Sequence, residues 1–117
     1  MAMTKRILVV DDEKDCCALI SDYLTGRGYS VDIAYDGFQA KDLVNNNKYD
    51  CIFFDCNMPE LTGIELIEIL DKKNPDAKKI MISGYEGIDE RFAKQTGVDM
   101  FLSKPIVLKD LERSIGI

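Results

Sequence analysis

The sequence predicts a single α/β domain, a parallel β-sheet of five strands with helices on both faces. Three observations support this. Five apolar, strand-like runs alternate with five stretches of helical periodicity, the pattern of repeated strand–helix units. Two runs, Ile7-Leu8-Val9-Val10 and Cys51-Ile52-Phe53-Phe54, are apolar at every position, as in strands buried on both faces. The chain has 117 residues, the usual size of one compact domain.

The first strand is Ile7 to Val10. A helix is expected from about Lys14 to Thr25, with Cys16, Leu19, Ile20, Tyr23 and Leu24 on its apolar face and Gly26 and Gly28 stopping it. The second strand, Tyr29 to Ala34, alternates Tyr29, Val31 and Ile33 with Ser30 and Asp32, which suits an edge strand with one exposed face. Asp36-Gly37 opens a second helix and Asn45-Asn46-Asn47 closes it. Cys51 to Phe54 is the third and central strand. Thr62-Gly63-Ile64-Glu65 reads as a capping box for a helix carrying Ile64, Ile67 and Leu70, which breaks at Asn74-Pro75. The fourth strand is Lys79 to Ile82. A helix holding Ile88 and Phe92 ends at Gly97, the fifth strand is Met100 to Ser103, and a short last helix carries Leu108, Leu111 and Ile115. Right-handed crossovers and an edge-like second strand favour the strand order 2-1-3-4-5. This is the flavodoxin-like three-layer sandwich, in which ligands bind outside the carboxyl ends of the strands, between strands 1 and 3.

Bulk chemistry removes several function classes. A net charge of −6 disfavours a nucleic-acid surface. No apolar run approaches the roughly 18 to 20 residues that span a bilayer. The start of the chain does not resemble a signal peptide, so a cytoplasmic protein is expected. Cys16, Cys17, Cys51 and Cys56 form no C-x-x-C pair and read as reduced thiols filling apolar positions. Cys56 is singled out because it adjoins Asp55. Histidine is absent, which excludes Ser–His–Asp and Cys–His catalysis and means that any phosphohistidine belongs to a partner.

The strand ends carry the chemistry. Asp11-Asp12-Glu13 follows the first strand, Asp55-Cys56-Asn57-Met58-Pro59 the third, Ser83-Gly84 the fourth and Lys104-Pro105 the fifth. Three of these carboxylates, Asp11, Asp12 and Asp55, converge on the rim where a ligand is expected. Two carboxylates about 5 Å apart repel by roughly 3 kcal/mol at an effective dielectric near 20. Three need a counter-charge or shifted pKa values. Magnesium suits the cluster: it takes few carboxylates, keeps waters and shares sites with phosphate oxygens. Lys104 supplies a second positive charge for a phosphate oxygen, and Ser83 a hydroxyl donor. Together they describe a phosphoryl-transfer site, with Asp55, on the central strand, as the acceptor carboxylate.

These residues resemble the receiver domain of two-component response regulators, such as the chemotaxis regulator. The likeness runs from Ile7 to about Ile115. It rests on Ile-Leu-Val-Val-Asp-Asp-Glu at 7–13, on Asp55 with Asn57, Pro59 and Gly63, on Ser83, and on Lys104-Pro105. It implies that Asp55 is phosphorylated and also contacts Mg2+. Asp12 would bind the ion directly, Asp11 largely through water, and the Asn57 backbone carbonyl would be a further ligand. Ser83 and Lys104 would contact the phosphoryl group. Phe101 would change rotamer with Ser83, without a tyrosine's hydroxyl. Tyr85 stands where the family tunes dephosphorylation. The donor would be a sensor histidine kinase or a histidine phosphotransfer protein. The chain would catalyse only its own phosphorylation and dephosphorylation, with no membrane or direct nucleic-acid partner. Phosphorylation would draw Ser83 and the following loop inward, with freedom from Gly84 and Gly87. Partners or an output domain would meet the face of the fourth helix, fifth strand and fifth helix.

Plainer readings exist for each residue. Asp11 and Asp12 suit a helix start, Lys104 a surface, Phe101 a packed aromatic, Asn57 a turn before Pro59, and Met58 and Leu61 local packing. Their joint appearance on four strand ends favours the site. A haloacid-dehalogenase-like phosphatase would want a second acid two residues after its nucleophile, where Asn57 stands. A flavin carrier would want a glycine- and hydroxyl-rich loop after the first strand. A non-phosphorylated interaction module is the third alternative. The Met1-Ala2-Met3 start and the Ser114 to Ile117 ending suit a stand-alone receiver or one cut from a larger regulator or hybrid kinase.

Overall fold

The computed structural model describes residues 5–55, 63–84 and 97–116. In chain order these form β1 (Arg6–Val10), α1 (Lys14–Gly26), β2 (Ser30–Ala34), α2 (Gly37–Asn46), β3 (Cys51–Asp55), α3 (Gly63–Lys73), β4 (Lys78–Ser83), β5 (Met100–Ser103) and α4 (Leu108–Ile115). All five strands are parallel, in the order β2-β1-β3-β4-β5. The fold is the flavodoxin-like sandwich expected from the sequence, with the half-buried β2 at one edge.

Strand alternation splits the core in two. Ile7, Val9, Cys51, Phe53, Ile80 and Ile82 face Cys17, Ile20 and Leu24 of α1 and Leu111 and Ile115 of α4. Leu8, Val10, Ile52, Phe54 and Met81 face Val44 of α2 and Leu66, Ile67 and Leu70 of α3. β1 and β3 are apolar on both faces because they are covered on both.

Local chemistry sets the helix ends. Gly28 adopts φ 95°, and the Gly28 and Tyr29 N–H groups bond back to the carbonyls of Thr25 and Leu24, at 3.1 Å each. This is a Schellman ending, in which Gly26 is the last helical residue and Gly28 alone supplies the left-handed turn. Asp36 caps α2 by accepting the Gln39 N–H at 2.8 Å. At the other end, Asn46 and Asn47 donate their side-chain amides to the carbonyls of Asp42 and Leu43. The α1 face differs from expectation at two positions. Leu19 is 47% exposed, and the neighbouring Cys17 takes the buried position. Its small thiol fits against β1 and donates to the Asp11 carbonyl at 3.2 Å. Cys56, Asn57, Met58, Pro59, Leu61, Thr62, Tyr85, Gly87 and the helix expected around Ile88 and Phe92 lie outside the described residues. Among the described residues, no helix is long and apolar enough to cross a membrane.

Asn74, where α3 breaks, ties two layers together. Its buried side chain accepts the Tyr49 N–H at 2.8 Å and donates to the carbonyls of Val44 at 3.1 Å and Asn47 at 3.3 Å. An alanine here leaves three backbone groups short of a partner. Asn74→Ala is therefore expected to lower unfolding free energy by about 2 to 4 kcal/mol, seen as a lower urea midpoint with little change in slope.

Candidate functional site

Parallel register delivers the acids to one rim. Val10 pairs with Phe54, so Asp11 and Asp55 stand side by side as β1 and β3 end. Asp55 continues the row of Cys51 and Phe53 on the α1 side of the sheet. The Asp11 N–H still bonds to the Ala34 carbonyl at 3.1 Å, which fixes its backbone to β2. Carboxylate oxygens of Asp11, Asp12 and Asp55 all lie within 4.8 Å of one another. Asp11 and Asp55 are buried, whereas Asp12 faces solvent.

Lys104 enters from β5. Its N–H bonds to the Ser83 carbonyl at 2.9 Å, which holds the start of the side chain against the end of β4. Gly84 makes room for it: a Cβ at that position would stand 3.2 Å from Lys104 Cβ. The role of Gly84 here is close approach. The Lys104–Pro105 peptide bond is cis. The ammonium lies 2.9 Å from Asp55 Oδ2, 2.9 Å from Asp11 Oδ2 and 2.6 Å from Glu13 Oε1. Burial alone would lower the Lys104 pKa, but its close contacts with the Glu13, Asp55 and Asp11 carboxylates outweigh it and raise the value above that of an ordinary lysine.

Asp11 is in the opposite position. Burial raises its pKa above the usual aspartate value, and repulsion from Asp55 adds to this, against the Glu13 N–H and the Lys104 charge. Its Oδ1 accepts the Glu13 N–H at 3.0 Å. Its buried Oδ2 has Lys104 beside it as an ion pair but no directed hydrogen bond among the described residues. Burial, with repulsion from Asp11, also pushes the thiols of Cys16 and Cys17 up to about 12, and burial does the same for Cys51. They stay protonated at neutral pH, in keeping with their reading as apolar fillers.

Of the residues singled out in the sequence, Asp11, Asp12, Asp55 and Lys104 are brought together. Ser83 is buried at the end of β4, one residue beyond Ile82, the partner of Asp55. Phe101 is half-buried and packs on the opposite side of the sheet, in the α2–α3 cluster. Asn57 lies outside the described residues. Glu13 is the residue to which sequence reasoning assigned no role. Its adjacency to Asp11-Asp12 was the available signal, but only the geometry shows it on Lys104.

Comparison with known proteins agrees with this picture. The family model for the response regulator receiver domain matches residues 7–116. Response regulator MprA of Mycobacterium sp. (strain KMS) is 36% identical over 110 residues, 93% of this chain and 48% of that protein. The chain thus spans about half the length of that relative. The receiver domain protein (CheY-like) of Methanospirillum hungatei JF-1 superposes with a TM-score of 0.89 at 32% identity, covering 97% of this chain and 91% of that one. A Burkholderia pseudomallei response regulator, solved with a phosphorylated aspartic acid, calcium ion and citrate, gives 0.87 at 28% identity over 95% of this chain and 66% of that one. The receiver domain of a Pseudomonas aeruginosa PAO1 sensor histidine kinase, with magnesium in its active-site cleft, gives 0.85 at 26% identity over 97% and 95%. The chain belongs to the response regulator receiver domain family of two-component signalling.

Ionised Asp11 works against folding. Its pKa is raised in the fold, so the unfolded chain releases that proton more easily. The penalty is absent at low pH and grows as pH rises above 3.8 through the folded value. Asp11→Asn removes the charge and keeps the shape. In chelator-treated buffer at pH 7 it is expected to raise Tm, by several degrees for each kcal/mol recovered in a domain of this size. At pH 3 the gain should shrink.

Proposed function

We propose that this domain accepts a phosphoryl group onto Asp55 from a phosphohistidine of a partner kinase or phosphotransfer protein, and that the phosphorylated form changes its binding partners. One observation carries the reading: three carboxylates share a rim within 4.8 Å while Lys104 stands 2.9 Å from Asp55. The residues fit a magnesium ion. The donors are all oxygen, two are buried, and Asp11 Oδ2 lacks a directed hydrogen bond. Asp11, Asp12, Asp55 and the Asn57 backbone carbonyl would hold it. When bound, the ion supplies positive charge beside the acceptor and a seat for a phosphoryl oxygen.

The chain's own residues do the rest. An Asp55 oxygen forms the new O–P bond as the P–N bond to the donor imidazole breaks, and the imidazole nitrogen keeps that electron pair. Lys104 offsets charge on the phosphoryl oxygens, and Ser83 donates to one of them. The new group brings close to two negative charges to the end of β3, next to the end of β4. Ser83 moves toward it, Phe101 changes rotamer, and the surface at β5 and α4 shifts population toward a form that binds other proteins or an output domain. The chain acts as one receiver domain over residues 1–117, alone or within a larger regulator or hybrid kinase, in the cytoplasm. It turns over no external substrate and catalyses only its own phosphorylation and dephosphorylation.

Incubation with acetyl phosphate and Mg2+ tests this. Intact-mass spectrometry is expected to show one added phosphoryl group in the wild type, none in Asp55→Asn and none after chelation. An unchanged wild-type mass, or a gain that survives Asp55→Asn, overturns the reading. Catalytic turnover of a phosphomonoester would point to a phosphatase instead.

A further inference from the structure

Three carboxylates share the Lys104 ammonium, but only two belong to the metal cluster. Asp11 and Asp55 are in it; Glu13, at 2.6 Å the shortest contact, is not. Glu13 occupies the N-cap position of α1, yet its side chain makes no capping hydrogen bond. Its carboxylate reaches across to Lys104 instead, 91 residues along the chain. The ammonium thus sits among three anionic neighbours, hydrogen-bonded to Glu13 and Asp55 and ion-paired with Asp11.

We infer that Glu13 is a positioning residue, the seat that receives the Lys104 ammonium when a divalent cation claims Asp11 and Asp55. The inference rests on the metal-site reading above and extends it. A dication beside Asp11 and Asp55 repels the ammonium from both. Among the described residues, Glu13 is the one remaining carboxylate in contact with Lys104. The Lys104 side chain is only 15% exposed and its backbone is pinned to Ser83, so it cannot simply leave for solvent. Glu13, 64% exposed, keeps its hydration on the outer side and can hold the lysine at the mouth of the site. Without that seat, Lys104 stays on the two aspartates and competes with the cation.

Magnesium affinity, measured calorimetrically without phosphoryl donor, tests this in the wild type, Glu13→Gln, Glu13→Asp, Lys104→Met and the Glu13→Gln/Lys104→Met double variant. Glu13→Gln is expected to weaken Mg2+ binding about five-fold or more with Lys104 present, and by less than about two-fold in the Lys104→Met background. Glu13→Asp keeps the charge but retreats by one methylene; it should resemble Glu13→Gln, which needs no Lys104 variant to fold. Equal losses in both backgrounds, or wild-type affinity in Glu13→Asp, would mean that Glu13 acts only through its field, and wild-type affinity in Glu13→Gln would mean that it has no part in binding; each would overturn the inference. Failure of the wild type to bind Mg2+ overturns the metal reading along with it. Mg2+ binding without phosphorylation of Asp55 overturns the acceptor reading alone, and the cycle still decides the role of Glu13.

Discussion

An excess of negative charge at the mouth of the sheet is the constraint around which the site is arranged. Among the described residues, Asp11, Asp12, Glu13 and Asp55 share that mouth with one lysine, which pairs with three of them. One ammonium cannot neutralise four carboxylates, so the rim carries a standing attraction for a second cation. The surroundings hold the charges in place. Asp11 is fixed by the Ala34 carbonyl and the Glu13 N–H, Lys104 by Ser83 and by the space that Gly84 leaves. Rigid acids that repel each other cost stability while bare and bind a cation well for the same reason.

The sheet is what makes that rigidity possible. Parallel strands deliver their carboxyl ends to one side, and a central pair covered on both faces cannot shift register without exposing apolar side chains. Val10 opposite Phe54 is thus as much a determinant of the site as the aspartates that follow. The anchors at the other ends of the strands are polar: Arg6 pairs with Asp32, and Tyr49 donates to the same carboxylate at 2.7 Å.

Much of this was legible in the sequence because its signals are local. All-apolar runs named the central strands, alternation named the edge, and acids directly after strands named the rim. The position of Asp55 beside Asp11 followed from topology alone. Signals that depend on packing were harder to read. Cys17 and Leu19 both sit at plausible helical spacing, and only the fit against β1 decides that the smaller side chain goes inside. Glu13 looked like one more acid in a run. Its partner lies across the site on another strand end, and no spacing rule reaches that far.

The sheet also divides the interior into two apolar compartments that, among the described residues, share no helix. α1 and α4 close the compartment toward which Asp55 points, and α2 and α3 close the other. The two halves therefore bear differently on the site. Repacking among Val44, Leu66 and Leu70 can drift with stability as its main cost, since none of them touches the acids. Repacking around Cys17 and Ile20 alters the ground on which Asp11 stands. Substitutions on the α2–α3 side should accordingly disturb the acids less. Phe101 packs against that compartment from β5, so repacking there also reaches the far edge of the sheet.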